Sequence, residues 1–406
     1  MPSTEDFKKA AKLAVKNTIQ YGDTDIFPFP FERFVFQDCQ DDVVDLLEQY
    51  NSKFSEYLAQ YSPVNVSALS PVSYFGFRWA TQIDYIWNAY FLACTLLLAD
   101  KIEAVRIPKG QRTVFSYRLS PDMNAGSIFD QSTGFRDFLQ TSVELSGEYK
   151  FVVICDVSEF YPRLGHHRLE NALKQVDHSS VYPKRIMDFL SNFSRTNSFG
   201  LPVGGPAARI LSELTINQID RLMLGRGIRF TRFADDYHIF ADSKEDAYKS
   251  LIFLSEKLSL NQGLTLQKAK TRIMTSAEFQ ATVPAIGTKP NDDTAVEFGD
   301  GTDSDIAAPR ERILNFSLRF DPYSPTAEDD YERLRAEIRK YDVLALLKDE
   351  LTKTRVHTSL TKKLVRSIKF LDADVRDQAV LSILDNSEVL YPVFSSVLLT
   401  LDQIID

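Results

Sequence analysis

An α+β fold is predicted for this chain: a strand-bearing portion followed by an all-α portion. Three observations predict it. Phe151-Val152-Val153-Ile154-Cys155 is a continuous apolar run, as in a strand buried on both faces, and it delivers Asp156 at its end. The stretch Arg232-Phe233-Ala234-Asp235-Asp236-Tyr237-His238-Ile239-Phe240 sets two carboxylates between strand-forming residues, which reads as a β-hairpin with its turn at the aspartates. Late in the chain the period becomes helical, as in Leu360, Leu364, Ile368 and Leu371.

The elements follow in order. Asp6 to Gln20 has helical spacing at Phe7, Ala11, Leu13, Ala14 and Val15. The aromatic, proline-broken run from Phe27 to Phe36 is expected to be an extended docking segment. Residues 41 to 60 and 78 to 100 read as helices, as do 185 to 195 and 206 to 223. Between the last two, Phe199-Gly200-Leu201-Pro202-Val203-Gly204-Gly205-Pro206 forms a bent loop that opens a helix and allows close backbone approach to a nucleotide. Residues 263 to 271 are expected to be a strand after the hairpin.

Residues 285–309 are acidic, glycine-bearing and non-periodic, and mark a linker between a catalytic portion, 1–284, and a helical portion, 310–406. The linker does not match the spacing of a calcium-binding loop. In the helical portion, Thr326 with Asp329 suggests a cap, followed by Tyr331, Leu334, Ile338 and Tyr341 at helical spacing; helices are also expected over 374–385 and 388–405.

The candidate chemistry rests on Asp156, Asp235 and Asp236. Adjacent carboxylates repel unless a cation lies between them, which points to Mg²⁺ or Mn²⁺. The interval from 156 to 235 leaves room for helices and a loop before the hairpin, so the three carboxylates can meet on one sheet face. Such a set suits in-line phosphoryl transfer with two metal ions. Taken singly, a turn with Asp-Asp is commonly just solvated, and an aspartate after a buried strand is commonplace; the ordered combination with the Gly-Leu-Pro loop carries the reading.

Together these segments resemble a reverse transcriptase palm. Tyr21-Gly22-Asp23-Thr24-Asp25, Val114-Phe115-Ser116-Tyr117-Arg118 and Leu201-Pro202-Val203-Gly204 further resemble the bacterial abortive-infection and "unknown group" defence reverse transcriptases. The resemblance implies a fingers-palm region, with helical (HEAT-like) repeats in place of a thumb. It implies Asp156, Asp235 and Asp236 as catalytic metal ligands, and Tyr161 as the aromatic that excludes a ribose 2′-hydroxyl, so that dNTPs are the substrates. Lys109 and Arg118 are the fingers cations expected at the triphosphate. Gly204 is expected beside the nucleotide, and Lys270 near the pyrophosphate. Val203 replaces the glutamine usual in the family, which puts ordinary template-guided fidelity in doubt.

The same resemblance implies a DNA polymerase of antiphage defence, self-associating, which makes DNA without a template and attaches it to one of its own tyrosines. Tyr21 is conspicuous among the 17. Alternatives are templated synthesis on a bound noncoding RNA, and a catalytically silent scaffold. Intact aspartates and Tyr161 argue against the scaffold, and a nucleotide cyclase would leave the Gly-Leu-Pro loop unexplained.

Composition sets the limits. The chain has 406 residues, 44% of them hydrophobic, enough for a large core and more than one domain. Cys39, Cys94 and Cys155 are far apart, which suggests neither a disulfide framework nor a zinc site. The start lacks a signal-peptide pattern and no apolar run is long enough for a bilayer, so a bacterial cytoplasmic protein without a membrane role is expected. A net charge of −9 without a basic block favours limited duplex engagement, or a nucleic-acid partner held in an enclosed channel.

Overall fold

A computed structural model describes residues 3–22, 32–73, 76–194, 197–282, 335–336, 338–353 and 356–404. The chain divides into two compact units, one drawn from residues 1–25, 29–67 and 81–291 and the other from 26–28, 68–80 and 292–406.

The first unit opens with α1 (Thr4–Tyr21), capped reciprocally by Ser3 and Asp6. Helices α2 (Glu32–Asp38), α3 (Gln40–Ser52) and α4 (Phe54–Gln60) follow. The extended segment expected up to Phe36 is therefore corrected over 32–36, where the backbone is helical; residues 23–31 lie outside the described residues. Strands β1 (Asn65–Ser73) and β2 (Gly76–Ile83), of which residues 68–80 are counted with the second unit, pair with each other. The helix expected over 78–100 is a strand as far as Ile83, and α5 (Tyr85–Leu96) begins only after the Asp84 cap. The alternation in Phe77-Arg78-Trp79 has a strand's period, which aromatic content had masked.

After α6 (Ala99–Val105) come the hairpin of β3 (Leu119–Asp122) and β4 (Ser127–Phe129), then α7 (Phe135–Ser146). Strand β5 (Phe151–Asp156) is followed by α8 (Phe160–Arg163), α9 (His166–Val176), α10 (Tyr182–Ser194) and α11 (Pro206–Gly225). Gly205 caps α11 and Pro206 fills its first turn, where a missing N–H costs nothing. Strands β6 (Arg229–Phe233) and β7 (Asp236–Ala241) form the anticipated hairpin, and α12 (Lys244–Gln262) ends at Gly263 in the left-handed region, φ +69°. Residues 263–271 hold the cap, an isolated bridge from Leu266 to Val157 and a turn, so the strand expected there begins later, as β8 (Arg272–Thr275), followed by α13 (Ser276–Thr282).

The sheet order is β6-β7-β5-β8, with β5 antiparallel to both neighbours. Its two faces explain the unbroken apolar run of β5. Val153, Cys155, Tyr237 and Ile239 join the main core with Ile216 and Ile219 of α11 and Leu254 and Leu258 of α12, whereas Val152 and Phe240 pack with Leu145 of α7 and Phe279 of α13. Alternation along the strands assigns Asp156 and Asp236 to the Val152–Phe240 face.

In the second unit, α14 (Val343–Leu351), α15 (Thr358–Ser367), α16 (Ala373–Asp385) and α17 (Phe394–Asp402) enclose a core that includes Leu347, Leu364, Ile368, Phe370 and Val393. Helix α14 packs on α15 and α16, and α15 on α17. The acidic stretch 285–309 and the expected cap at Thr326 lie outside the described residues. No helix among the described residues is long and apolar enough to cross a membrane.

Candidate active site

Strand register builds the site. Asp156, the last residue of β5, is the partner of Asp236, the first of β7, while Asp235 occupies the preceding turn. The turn is tight: Ala234 takes φ +53°, unusual for a residue with a Cβ. Main-chain bonds tie it to its neighbours, for the Asp235 carbonyl accepts from Val157 N at 3.0 Å and the Asp156 carbonyl from Gln267 N at 2.8 Å. The 263–271 segment is thereby held beside β5, and Lys270 Nζ donates to Asp156 Oδ2 at 2.6 Å.

Burial and mutual repulsion raise the carboxyls of Asp235 and Asp236. Asp236 is pushed up to about 7 by burial and then by the charges of Asp235 and Asp156. Asp235 is also raised, by burial and by Asp156. Burial works against the charge on Lys270, but its bond to Asp156 and the field of all three aspartates hold its ammonium above the ordinary range. These oxygens are hard donors suited to Mg²⁺ or Mn²⁺, and the site favours added positive charge. Among the described residues no three carboxylate, imidazole or thiolate groups stand as a ready-made metal cluster. The donor chemistry fits a divalent ion; the side-chain arrangement is that of an ion pair with Lys270.

Tyr161, in α8, is largely buried, and its carbonyl accepts from Leu201 N at 2.9 Å, which joins it to the glycine-rich loop. Its hydroxyl lies 3.4 Å from that of Tyr117. Gly204 has φ +96°, a conformation glycine alone adopts without strain, and a Cβ on Gly200 would stand 3.2 Å from the Pro162 carbonyl. Gly204, expected beside a nucleotide, makes the bend that starts α11.

The two cations expected at the triphosphate, Arg118 and Lys109, both have protein partners. Arg118 is 1% exposed: Nε donates to the Val114 carbonyl, one Nη to the Ile107 carbonyl and the other to Glu103. Its assignment to the triphosphate is corrected, because every guanidinium nitrogen is committed to the interior. Lys109 sits on the surface, paired with Asp130 at 2.7 Å. Arg112, which sequence reasoning passed over, is half exposed and bonds Glu144 at 2.7 Å.

A second feature was missed. Arg232, which opens the stretch singled out in sequence, is 1% exposed and binds Glu213 and Asp220 of α11 at 2.9 and 2.7 Å. Its Nη1 also donates to the Ala234 carbonyl at 2.9 Å. Arg106 bonds Glu213 at 2.6 Å and Glu103, and Glu103 in turn takes Arg118. Burial alone would discourage charge on Arg232, and the fields of Asp220 and Glu213 more than reverse that. A relay of ion pairs thus runs from Arg118 and Glu103 to the aspartate turn. No local period signals it, since its members come from α6, α11, β6 and the loop positions Arg106 and Arg118.

Residues 108–298 match the family model described as reverse transcriptase (RNA-dependent DNA polymerase). A curated relative, the Retron Ec86 reverse transcriptase of Escherichia coli, is 29% identical over 127 residues, which span 30% of this chain and 38% of that protein. Among solved structures, telomerase from Candida albicans with a TWJ fragment of telomeric RNA matches at a TM-score of 0.38 and 12% identity, covering 91% of this chain and 68% of that one. Apo telomerase from Candida tropicalis matches at 0.36 and 9%, covering 87% and 68%. The family match and the bacterial relative support a nucleotidyltransferase of the reverse transcriptase type.

Proposed function

We propose that this chain is a DNA polymerase of the reverse transcriptase type that adds deoxynucleotides to a 3′-hydroxyl. The observation that carries this reading is the pairing of Asp156 with Asp236 across β5 and β7, with Asp235 in the turn and Lys270 on Asp156. Asp156, Asp235 and Asp236 would hold Mg²⁺ or Mn²⁺, which supplies charge neutralisation for the attacking and leaving oxygens. Lys270, whose ammonium lies 2.6 Å from Asp156, would supply a proton-bearing cation to the departing pyrophosphate. Tyr161 closes the sugar side of the site, and Gly204 lets the loop backbone come close to the nucleotide.

The finer reading is that synthesis needs no template, begins on a tyrosine of the protein and serves antiphage defence in the bacterial cytoplasm. In it, the second unit acts as a helical-repeat region in place of a thumb, and the chain self-associates. The motif resemblance and Val203 support this. A second reading, synthesis on a bound RNA, is favoured by the family description that residues 108–298 match.

The test is incorporation of each labelled deoxynucleotide by purified protein with Mg²⁺ or Mn²⁺ and no added template or primer, resolved on a denaturing gel before and after protease. Label that travels with the protein and shifts on proteolysis supports tyrosine-primed synthesis. Product only on an RNA primer-template supports the second reading, and no product under either condition removes the enzymatic one.

A further inference from the structure

Nucleotidyl transfer needs positive charge where phosphate will lie, and several cations near the site are already engaged. Arg118 is internal, Lys109 is paired with Asp130, Arg112 with Glu144 and Lys270 with Asp156. Arg209 differs. It stands in the first turn of α11, just past the glycine-rich bend, with its guanidinium over the Tyr117 ring, 5.2 Å from the centroid. Among the described residues no carboxylate, carbonyl or hydroxyl accepts a hydrogen bond from that guanidinium.

The ring beneath it is fixed. Tyr117 has φ +47°, packs against Phe129 and Phe233, and places its hydroxyl 3.4 Å from that of Tyr161. Tyr117 also lies within the electrostatic reach of both Arg209 and Asp235. A guanidinium laid on an aromatic face surrenders little further freedom when it binds, and its planar fork matches two phosphate oxygens. Resting on the polymerase reading, we propose that Arg209, stacked on Tyr117, is a phosphate-binding cation of this site. The phosphate belongs either to an incoming deoxynucleoside triphosphate or to a single strand entering beside α11.

The experiment measures binding of dATP by calorimetry, and of a fluorescent single-stranded oligothymidylate by anisotropy over a salt series. Full-length wild type, R209A and R209K are compared. R209A is expected to weaken one probe roughly 10- to 100-fold, the scale of a hydrogen-bonded charge contact. R209K, which keeps the charge but not the fork, should fall between. Weaker dATP binding identifies the triphosphate; weaker oligonucleotide binding with a salt slope smaller by about one identifies a strand phosphate. Wild-type affinity for both probes in a folded R209A overturns the assignment, and where R209A does not fold, R209Q, which also removes the charge, is read in its place. Incorporation by the wild type tests the polymerase reading separately: with incorporation intact and R209A binding unchanged, only the Arg209 assignment fails. Without incorporation, a drop in R209A binding still establishes the subsite.

Discussion

The Arg232 guanidinium donates to the Ala234 carbonyl at 2.9 Å, so a residue that enters the hairpin braces the turn presenting Asp235. The same guanidinium neutralises two buried carboxylates. Removing it as R232M leaves Glu213 and Asp220 short of a partner and is expected to cost about 3–5 kcal/mol, read as a lower urea midpoint. R232K keeps a charge but cannot satisfy Glu213, Asp220 and Ala234 together. It should fold with a smaller loss while incorporation falls further than stability accounts for; full activity in R232K would remove the turn-bracing role.

Asn at Asp156, Asp235 or Asp236 is expected to lower incorporation below about one thousandth of wild type, since each loses charge where the reaction needs a cation held. Circular dichroism should stay native. Activity near wild type in D156N would show that the chemistry lies elsewhere.

Asp236 also predicts a pH effect on stability. Its carboxyl, at about 7 in the folded chain against 3.8 ordinarily, binds its proton more tightly when folded. That contribution is therefore fully present below about pH 4 and is lost as pH rises through 7. His238 works in the opposite sense: burial lowers it to about 3, so its contribution is lost as pH falls below its ordinary range. The difference between D236N and wild type separates the two. In chelator, the Tm of D236N should match wild type near pH 4 and exceed it at pH 8, and Mg²⁺ at pH 8 should raise wild type more than D236N. Equal melting of the two proteins at pH 8 in chelator would contradict the assigned shift.

Y161A is expected to reduce the preference for dATP over ATP by roughly 10- to 200-fold, the usual worth of a small steric contact. Competition between the two nucleotides at fixed Mg²⁺ measures it. An unchanged ratio would mean that the sugar meets another wall.

R118A should act on folding. Loss of the guanidinium leaves the buried carbonyls of Val114 and Ile107 without the donor it supplied and Glu103 with Arg106 as its remaining cation, at about 1–3 kcal/mol for each buried group left unsatisfied. The KM for dATP of the protein that folds should match wild type. A raised KM at unchanged stability would restore Arg118 to the nucleotide.

Sequence carried the hairpin and the β5 strand because their signals are local: five apolar residues in a row, and an Asp-Asp pair between strand formers. Lys270 was placed near the aspartates although its segment proved to be turns, since a position two residues before a strand looks much like its first residues. Direction was harder to read. Arg118 and Arg209 are indistinguishable as letters, and only packing decides that one turns inward onto carbonyls while the other lies on Tyr117. Glu213 and Asp220 sit on an apolar helix where a charge has no apparent purpose until Arg232 and Arg106 are brought in from other elements.

The pairing of Asp156 with Asp236 makes the site a matter of counting. Side chains alternate between sheet faces, so one residue inserted or deleted within Phe151–Cys155 would turn Asp156 toward the α11–α12 side and bury it among Ile216, Ile219 and Leu254. The turns after Gly263 face no such parity constraint. Over evolutionary time, length changes should therefore be excluded from β5 and β7, whatever their effect on hydrophobicity, and between Gly263 and Lys270 they are limited instead by the main-chain bond of Gln267 to Asp156 and by the reach of Lys270.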